Sequence, residues 1–438
     1  LGWIGVEESR ISKNLKLTHP LIKQSRQLQP VIHRKQKISF TVKSIFNFQK
    51  RKIMETLFWI SLSIIFYTFI GYALVITLLS ALKKKKKSLP QLSNDDLPEV
   101  TMLIAAYNEE EIIEEKIKNC LSLEYPEDKF KLLFVTDGSN DKTNSIISAH
   151  KDIKLEFRLE RKGKIAATNR VMPSIASPIT IFSDANVMLN PGAIKALVNP
   201  FQSNVIGAVS GEKRVVSETH DGASATGEGV YWKLESYLKK KDAQWNSLVG
   251  SAGELFAIRT HLFEPTEENT LIEDFVMTMR LAASGYKVDY QPTAIATETA
   301  SVTIEEESKR KVRISAGGIQ AVIKLVGLLN FFKYGKLTFQ YISHRVLRWT
   351  LMPIALICLL LSSFWISDKN LFFELFFSAQ LIFYHLTFLG YVIRNQKTSY
   401  KLLHIPYYFI YMHVCVIQGW FKYFSGKQKV TWEKSKRV

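Results

Sequence analysis

The longest apolar stretch runs from Leu57 to Leu82 and is almost unbroken Leu, Ile, Phe, Val and small residues. It is long enough to cross a bilayer, where a buried core helix is usually shorter. Lysines 83 to 87 follow at once, and a basic run of this kind marks the cytoplasmic end of a span. From about Leu97 to Thr303 short apolar runs alternate with segments of helical periodicity, the signature of a parallel α/β sheet. Val100 to Ala106, Lys131 to Val135 and Pro178 to Phe182 read as buried strands, and Phe275 to Ser284 as a helix with Phe275, Met279 and Leu281 in the core. Gly317 to Tyr334, apolar with sparse polar punctuation, predicts an amphipathic helix on the membrane surface. Trp349 to Ile366 and Leu371 to Ile393 predict two further spans, with Arg394, Lys397 and Lys401 returning the chain to the cytoplasm. Ile405 to Phe424, interrupted by His413, Gln418 and Lys422, reads either as a span or as a re-entrant or interfacial helix.

This pattern divides the chain into a basic extension (1–53), a membrane helix (54–83), a cytosolic α/β domain (84–315), an interfacial helix (316–335) and a membrane-associated region with a basic tail (336–438). The expected location is a multi-pass protein of the cell membrane. The extension carries twelve Lys/Arg against Glu7 and Glu8. Beyond the first span that charge would oppose the positive-inside bias, so Met54 is the expected start of translation; the alternative is a disordered basic arm.

Composition narrows the class. The 438 residues are 47% hydrophobic with a net charge of +18, an unusual pairing for a simple soluble enzyme. The cations cluster beside apolar runs, which suits anionic lipid headgroups and speaks against nucleic acid, whose single strands need an aromatic-studded basic surface. Cys120, Cys358 and Cys415 are scattered, giving neither a disulfide framework nor metal-ligand spacing.

Three polar motifs fall where ligands bind in an α/β sheet, beyond the carboxyl ends of strands. Asp137, in Thr136-Asp137-Gly138-Ser139, can accept hydrogen bonds from ribose or a base, or serve only turn and capping chemistry. Asp184 and Asn186 are two residues apart and face one side if extended, suiting a divalent cation shared with phosphates or an Asx turn. Glu273-Asp274 opens a helix, where acids complement the dipole or act as a general base. Arg310 and Arg313 suit either a departing pyrophosphate or lipid headgroups, and Lys164 carries the same ambiguity. Gly250-Ser251-Ala252-Gly253 either admits a sugar ring or is a plain loop.

Taken together over roughly residues 98–318, these motifs resemble the membrane-embedded family 2 glycosyltransferases, which include cellulose, hyaluronan and poly-N-acetylglucosamine synthases. The motifs are Ala106-Tyr107-Asn108-Glu109, Thr136-Asp137-Gly138-Ser139, Gly163-Lys164 through Asn169, Ser183-Asp184-Ala185-Asn186 and Ile272-Glu273-Asp274. The resemblance implies a GT-A (Rossmann-like) α/β domain, a nucleotide-diphosphate sugar donor, commonly UDP-linked, Mg²⁺ or Mn²⁺, and inverting transfer. It places Tyr107, Glu109, Asp137, Lys164, Asp184, Arg310 and Arg313 around the nucleotide sugar and Asp184 with Asn186 at the metal. Gly250 and Ser251 fall to the acceptor, and Glu273 and Asp274 to catalysis, with Asp274 the base. The acceptor would be a glycan or lipid at the cytosolic face of the membrane, with room for export or assembly subunits.

Three positions depart from the family pattern. Thr136 stands where many members have a second acid, and Asn186 replaces the last acid of Asp-x-Asp. The Gln-x-x-Arg-Trp element reads Arg310-Lys311-Val312-Arg313-Ile314, so no indole stacks on the acceptor, which speaks against processive polymerisation. A silent membrane scaffold or sugar-nucleotide sensor is the alternative class, because a fold alone does not prove activity; acids at all three motif sites argue for the enzyme.

Overall fold

The computed structural model describes residues 46–83, 89–216, 223–299, 304–394 and 400–428. The basic extension up to residue 45, nearly all of the lysine run, the 395–399 connection with Lys397 and the final basic tail lie outside them. The chain divides into two packed units. The described residues of the smaller are 46–60 and Cys358–Phe377. In it Phe58 is buried edge-on against Phe373 and Phe376, centroids 5.1 and 4.9 Å away, and Trp59 stacks on Phe372.

The larger unit, in its described residues between Ser61 and Ile357 and between Ser378 and Gln428, holds the α/β domain. In chain order the elements are helix α1 (Phe46–Leu82), β1 (Val100–Ala106), α2 (Ile113–Leu121), β2 (Phe130–Asp137), α3 (Thr143–Ser148), β3 (Lys154–Arg158), α4 (Lys164–Val171), β4 (Ile179–Asp184), β5 (Met188–Leu189), α5 (Ala193–Val198), β6 (Ile206–Val216), α6 (Ala223–Trp245), β7 (Leu255–Arg259), α7 (Glu273–Ala283), β8 (Lys287–Thr299) and α8 (Ile304–Lys324). α9 (Lys336–Trp349), α10 (Leu351–Ile366), α11 (Leu371–Val392) and α12 (Lys401–Phe424) follow.

Helices cover both faces of the sheet, so the central strands β1, β2, β4 and β7 are mostly apolar and buried, as in sheets buried on two sides. Successive side chains alternate between faces. Met102 and Ile104 pack with Ile113, Ile117 and Ile194 from α2 and α5. Leu103 packs on the opposite side with Val171, Val276 and Met279 from α4 and α7.

The strand order is β3-β2-β1-β4-β7-β6-β8-β5. The first four strands are parallel, as the sequence predicts. The sheet as a whole is mixed, because β7 runs antiparallel to both β4 and β6, and β5 to β8. Apolar periodicity carries no strand direction, which is why the reversal is invisible in sequence. It has a consequence for the site: Leu255, opening β7, pairs with Ser183 at the end of β4, so the 250–254 loop lies over the ligand-binding end of the sheet.

The expected interfacial helix over 316–335 is not a single element. Ala316, Ile319 and Ala321 of α8 are buried, as are Leu325 and Leu328 beyond it. Helix α8 stops at Lys324, and two short turns follow (Val326–Leu329 and Phe331–Tyr334). The apolar positions serve the domain core first, leaving Phe331 and Phe332 exposed.

Among the described residues α1 and α11 are long and apolar enough to cross a membrane. α9 and α10, bent by 56°, would make a third span if taken together, the break falling at Thr350. α12 is not among these candidates. It packs on α8, where Gly419 lies so close to Ser315 and Ala316 that a Cβ would come within 2.8 Å of both, and Trp420 Nε1 donates to the Trp349 carbonyl at 2.7 Å.

Candidate active site

Asp184 is the last residue of β4, and the turn after it is held by a lysine. Lys116 sits among the apolar positions of α2 with Ile113, Ile117 and Cys120. Its Nζ donates to Ser183 Oγ at 2.9 Å and to the Val187 carbonyl at 2.7 Å. Burial pushes this amine below its usual range.

A second lysine makes the link across the site. Gly163 adopts φ +100, a conformation that favours glycine, and delivers Lys164 as the first residue of α4. The Lys164 Nζ lies 2.8 Å from Asp184 Oδ1 and 3.1 Å from Glu273 Oε1. Burial opposes its charge, but Asp184 and Glu273 outweigh that and raise it.

Glu273 and Asp274 open α7 side by side and are driven in opposite directions. Burial disfavours the charge of Glu273, yet Lys164, the helix-end backbone and Arg313 prevail and hold it below the usual carboxylate range. Burial, then the neighbouring Glu273, push Asp274 up to about 7. The Asp274 carboxylate lies against Gly253, where a Cβ would approach its Oδ2 to 3.2 Å. The Asp274 carbonyl accepts from Ser251 Oγ at 3.2 Å and Thr278 Oγ1 at 2.7 Å.

These groups line a cavity of about 450 Å³ shared with Ser251, Glu254, Arg310, Arg313 and Ile314. Arg310 is bidentate to Glu307 at 3.0 and 2.9 Å. The Arg313 Nε is buried with no partner. Gly250 is not on the wall: at φ +80, a Cβ there would fall 1.9 Å from the Phe275 ring, so packing requires the glycine.

The remaining candidates lie apart from this cavity. Both oxygens of Asp137 accept from the Lys162 N–H, at 2.9 and 3.1 Å, and Oδ2 also from Gly163; the carboxylate thereby pins the loop that delivers Lys164. Tyr107 stacks beneath the Arg161 guanidinium at 3.7 Å. Glu109 is buried, its N–H donating to Thr143 Oγ1 at 2.8 Å. Asn186 lies in the turn after β4 and not on the extended strand; its amide donates to Glu298 at 3.0 Å, away from the cavity.

Sequence reading missed an ion chain behind the site. Lys213, 1% exposed, bridges Glu254 and Glu298. Burial opposes the Glu254 charge, but Lys213 dominates and lowers it to about 2. In the sequence Lys213 stands between Glu212 and Arg214, a charged stretch that does not mark it as buried.

A mixed α/β sheet with a cavity at the carboxyl ends of its parallel strands is shared with glycosyltransferases of the GT-A fold. The mannosyltransferase PcManGT of Pyrobaculum calidifontis, solved with GDP-Man and Mn²⁺, has the same fold, with a TM-score of 0.66 over 86% of this chain and 100% of that one at 19% identity. The profile of the family described as Glycosyltransferase like family 2 matches residues 98–317, and the chain belongs to that family. It is 25% identical over 285 residues to the poly-beta-1,6-N-acetyl-D-glucosamine synthase of Staphylococcus aureus strain COL, covering 62% of this chain and 65% of that one. The chain thus spans just under two thirds of that relative's length. A Bacillus subtilis protein described as probable glycosyltransferase YdaM is 27% identical over 303 residues, 64% of this chain and 69% of that one.

Proposed function

We propose that the enzyme transfers a sugar, with inversion, from a nucleotide-diphosphate donor to an acceptor hydroxyl at the cytosolic face of the membrane. The observation that carries this reading is the pair Glu273 and Asp274: one acid held charged beside Lys164, its neighbour pushed up to about 7. A carboxylate with that affinity can take a proton near neutral pH and shed it again. In the displacement the acceptor oxygen bonds to the anomeric carbon, its proton passes to Asp274, and the bonding pair leaves with the nucleoside diphosphate. Lys164, Arg310 and Arg313 supply positive charge toward that leaving group. Asp137 supports the donor by fixing the loop before Lys164.

Among the described residues no group of three His, Cys, Asp or Glu could hold a metal ion, and Asn186 is turned to Glu298. Asp184, 28% exposed on the cavity wall, fits a divalent cation as a single carboxylate ligand, the rest of the shell coming from donor phosphates. Bound there, Mg²⁺ or Mn²⁺ would neutralise charge developing on the diphosphate.

The test is a screen of radiolabelled nucleotide sugars against the purified protein in lipid. The expected result is label transfer that stops with chelator and returns with Mg²⁺ or Mn²⁺; a protein that binds these donors and never turns them over would contradict the reading.

A further inference from the structure

Lys213, the buried lysine of β6, pairs with two carboxylates that stand in different places. The Glu298 side chain is 7% exposed and takes the Asn186 amide at 3.0 Å. The Glu254 side chain is 20% exposed and lines the cavity. The ion chain is therefore sealed in the domain at one end and open to a ligand at the other. Among the described residues Lys213, on Oε1, is the only ion-pair partner of Glu254. A carboxylate has about four lone-pair sites, so Glu254 can accept further hydrogen bonds.

The loop that carries Glu254 sets its place in the reaction. Its carbonyl accepts from the Asp184 N–H at 3.4 Å, and Gly253 just before it lies against the Asp274 carboxylate. In an inverting displacement the diphosphate leaves one face of the anomeric carbon and the acceptor arrives at the other. With the diphosphate at Asp184 and the base at Asp274, the donor ring lies between them. A residue adjoining both stands beside that ring, where a sugar presents hydroxyl donors and a carboxylate accepts them. A purely structural ion pair needs no member on the cavity wall, since Glu298 already answers Lys213. A second metal carboxylate is also a poor reading, because the Lys213 ammonium on Oε1 would repel a cation there.

We propose that Glu254 is a specificity-determining residue of the transfer reading above: its carboxylate, held by Lys213, accepts a hydrogen bond from a ring hydroxyl of the donor sugar. The proposal rests on that reading. The test uses the full chain in phosphatidylcholine nanodiscs with Mn²⁺, titrated with UDP, UDP-glucose, UDP-N-acetylglucosamine, GDP and GDP-mannose. Glu254→Gln is expected to weaken the best-bound nucleotide sugar by about tenfold and to leave the matching bare nucleotide unchanged. Glu254→Asp keeps the charge and withdraws the carboxylate by one methylene. It should lower the same ratio, and keeps the test open if Glu254→Gln does not fold. Among monodeoxy analogues of that donor, one should lose about the same factor on the unaltered protein and none on Glu254→Gln. Equal weakening of nucleotide sugar and bare nucleotide marks a packing role, and a raised Mn²⁺ requirement marks a metal role; either overturns the proposal. So does an unchanged ratio in both variants, which leaves the donor reading standing. An unaltered protein that binds none of the five nucleotides removes the donor reading and this proposal with it.

Discussion

At the scale of single residues the proposed chemistry rests on two adjacent carboxylates with opposed proton affinities. Asp274, raised to about 7, is protonated and idle below that pH and free to accept a proton above it. The kcat/KM profile should therefore rise with an apparent pKa near 7 and level off on the alkaline side; a flat profile from pH 5 to 8 would count against the base. Lys164 favours the charged form of Asp274, so Lys164→Met should move that limb to higher pH as well as weakening donor binding. Asp184, Glu273 and Asp274 were legible in the sequence, because each sits where an apolar run ends or a helix begins. Which of the two adjacent acids would be raised was not legible, since Lys164, Gly253 and Arg313 come from distant elements. Asn186 was misleading for a related reason: spacing puts it on the face of Asp184 only if the strand continues, and the strand stops at Asp184.

At the scale of elements, the site depends on how closely α7 meets the 250–254 loop. Gly250→Ala would drive a Cβ into Phe275 and should destabilise the fold by about 1–3 kcal/mol, read as a lower melting temperature. A buried network joins α6 to α9. His344 lies between Asp242 at 2.6 Å and Glu235 at 3.3 Å, while Tyr72 of α1 donates to Asp242. Burial opposes the charge of Glu235, but Arg345, His344 and Arg348 outweigh it and hold it well below the usual range. Glu235→Gln would leave two guanidinium groups uncompensated and should cost about 3–5 kcal/mol in denaturant unfolding. None of this network was foreseen, because its polar residues lie in segments without the periodicity that marks an element. Strands β1, β2 and β4 and the helix α7 were foreseen from their regular apolar runs, whereas β3, with Lys154, Glu156 and Arg158, was not.

For the whole molecule, apolar content pointed to candidate membrane spans, and the structure narrows the segments that are long and apolar enough to be one. α1 and α11 remain candidate spans, while the apolar residues of α8 and α12 are drawn partly into the domain. Ile314 stands on the cavity wall where the family pattern has an indole, and on that ground we propose single transfer over chain extension. Product sizing should return one added sugar per acceptor; a ladder of long chains would contradict this. The most direct test of the central claim is single-turnover transfer by Asp274→Asn beside donor affinity in the same lipid-reconstituted protein. If Asp274 is the base, transfer falls by about 10²- to 10⁴-fold with donor binding intact. Near-normal transfer by this variant would contradict it.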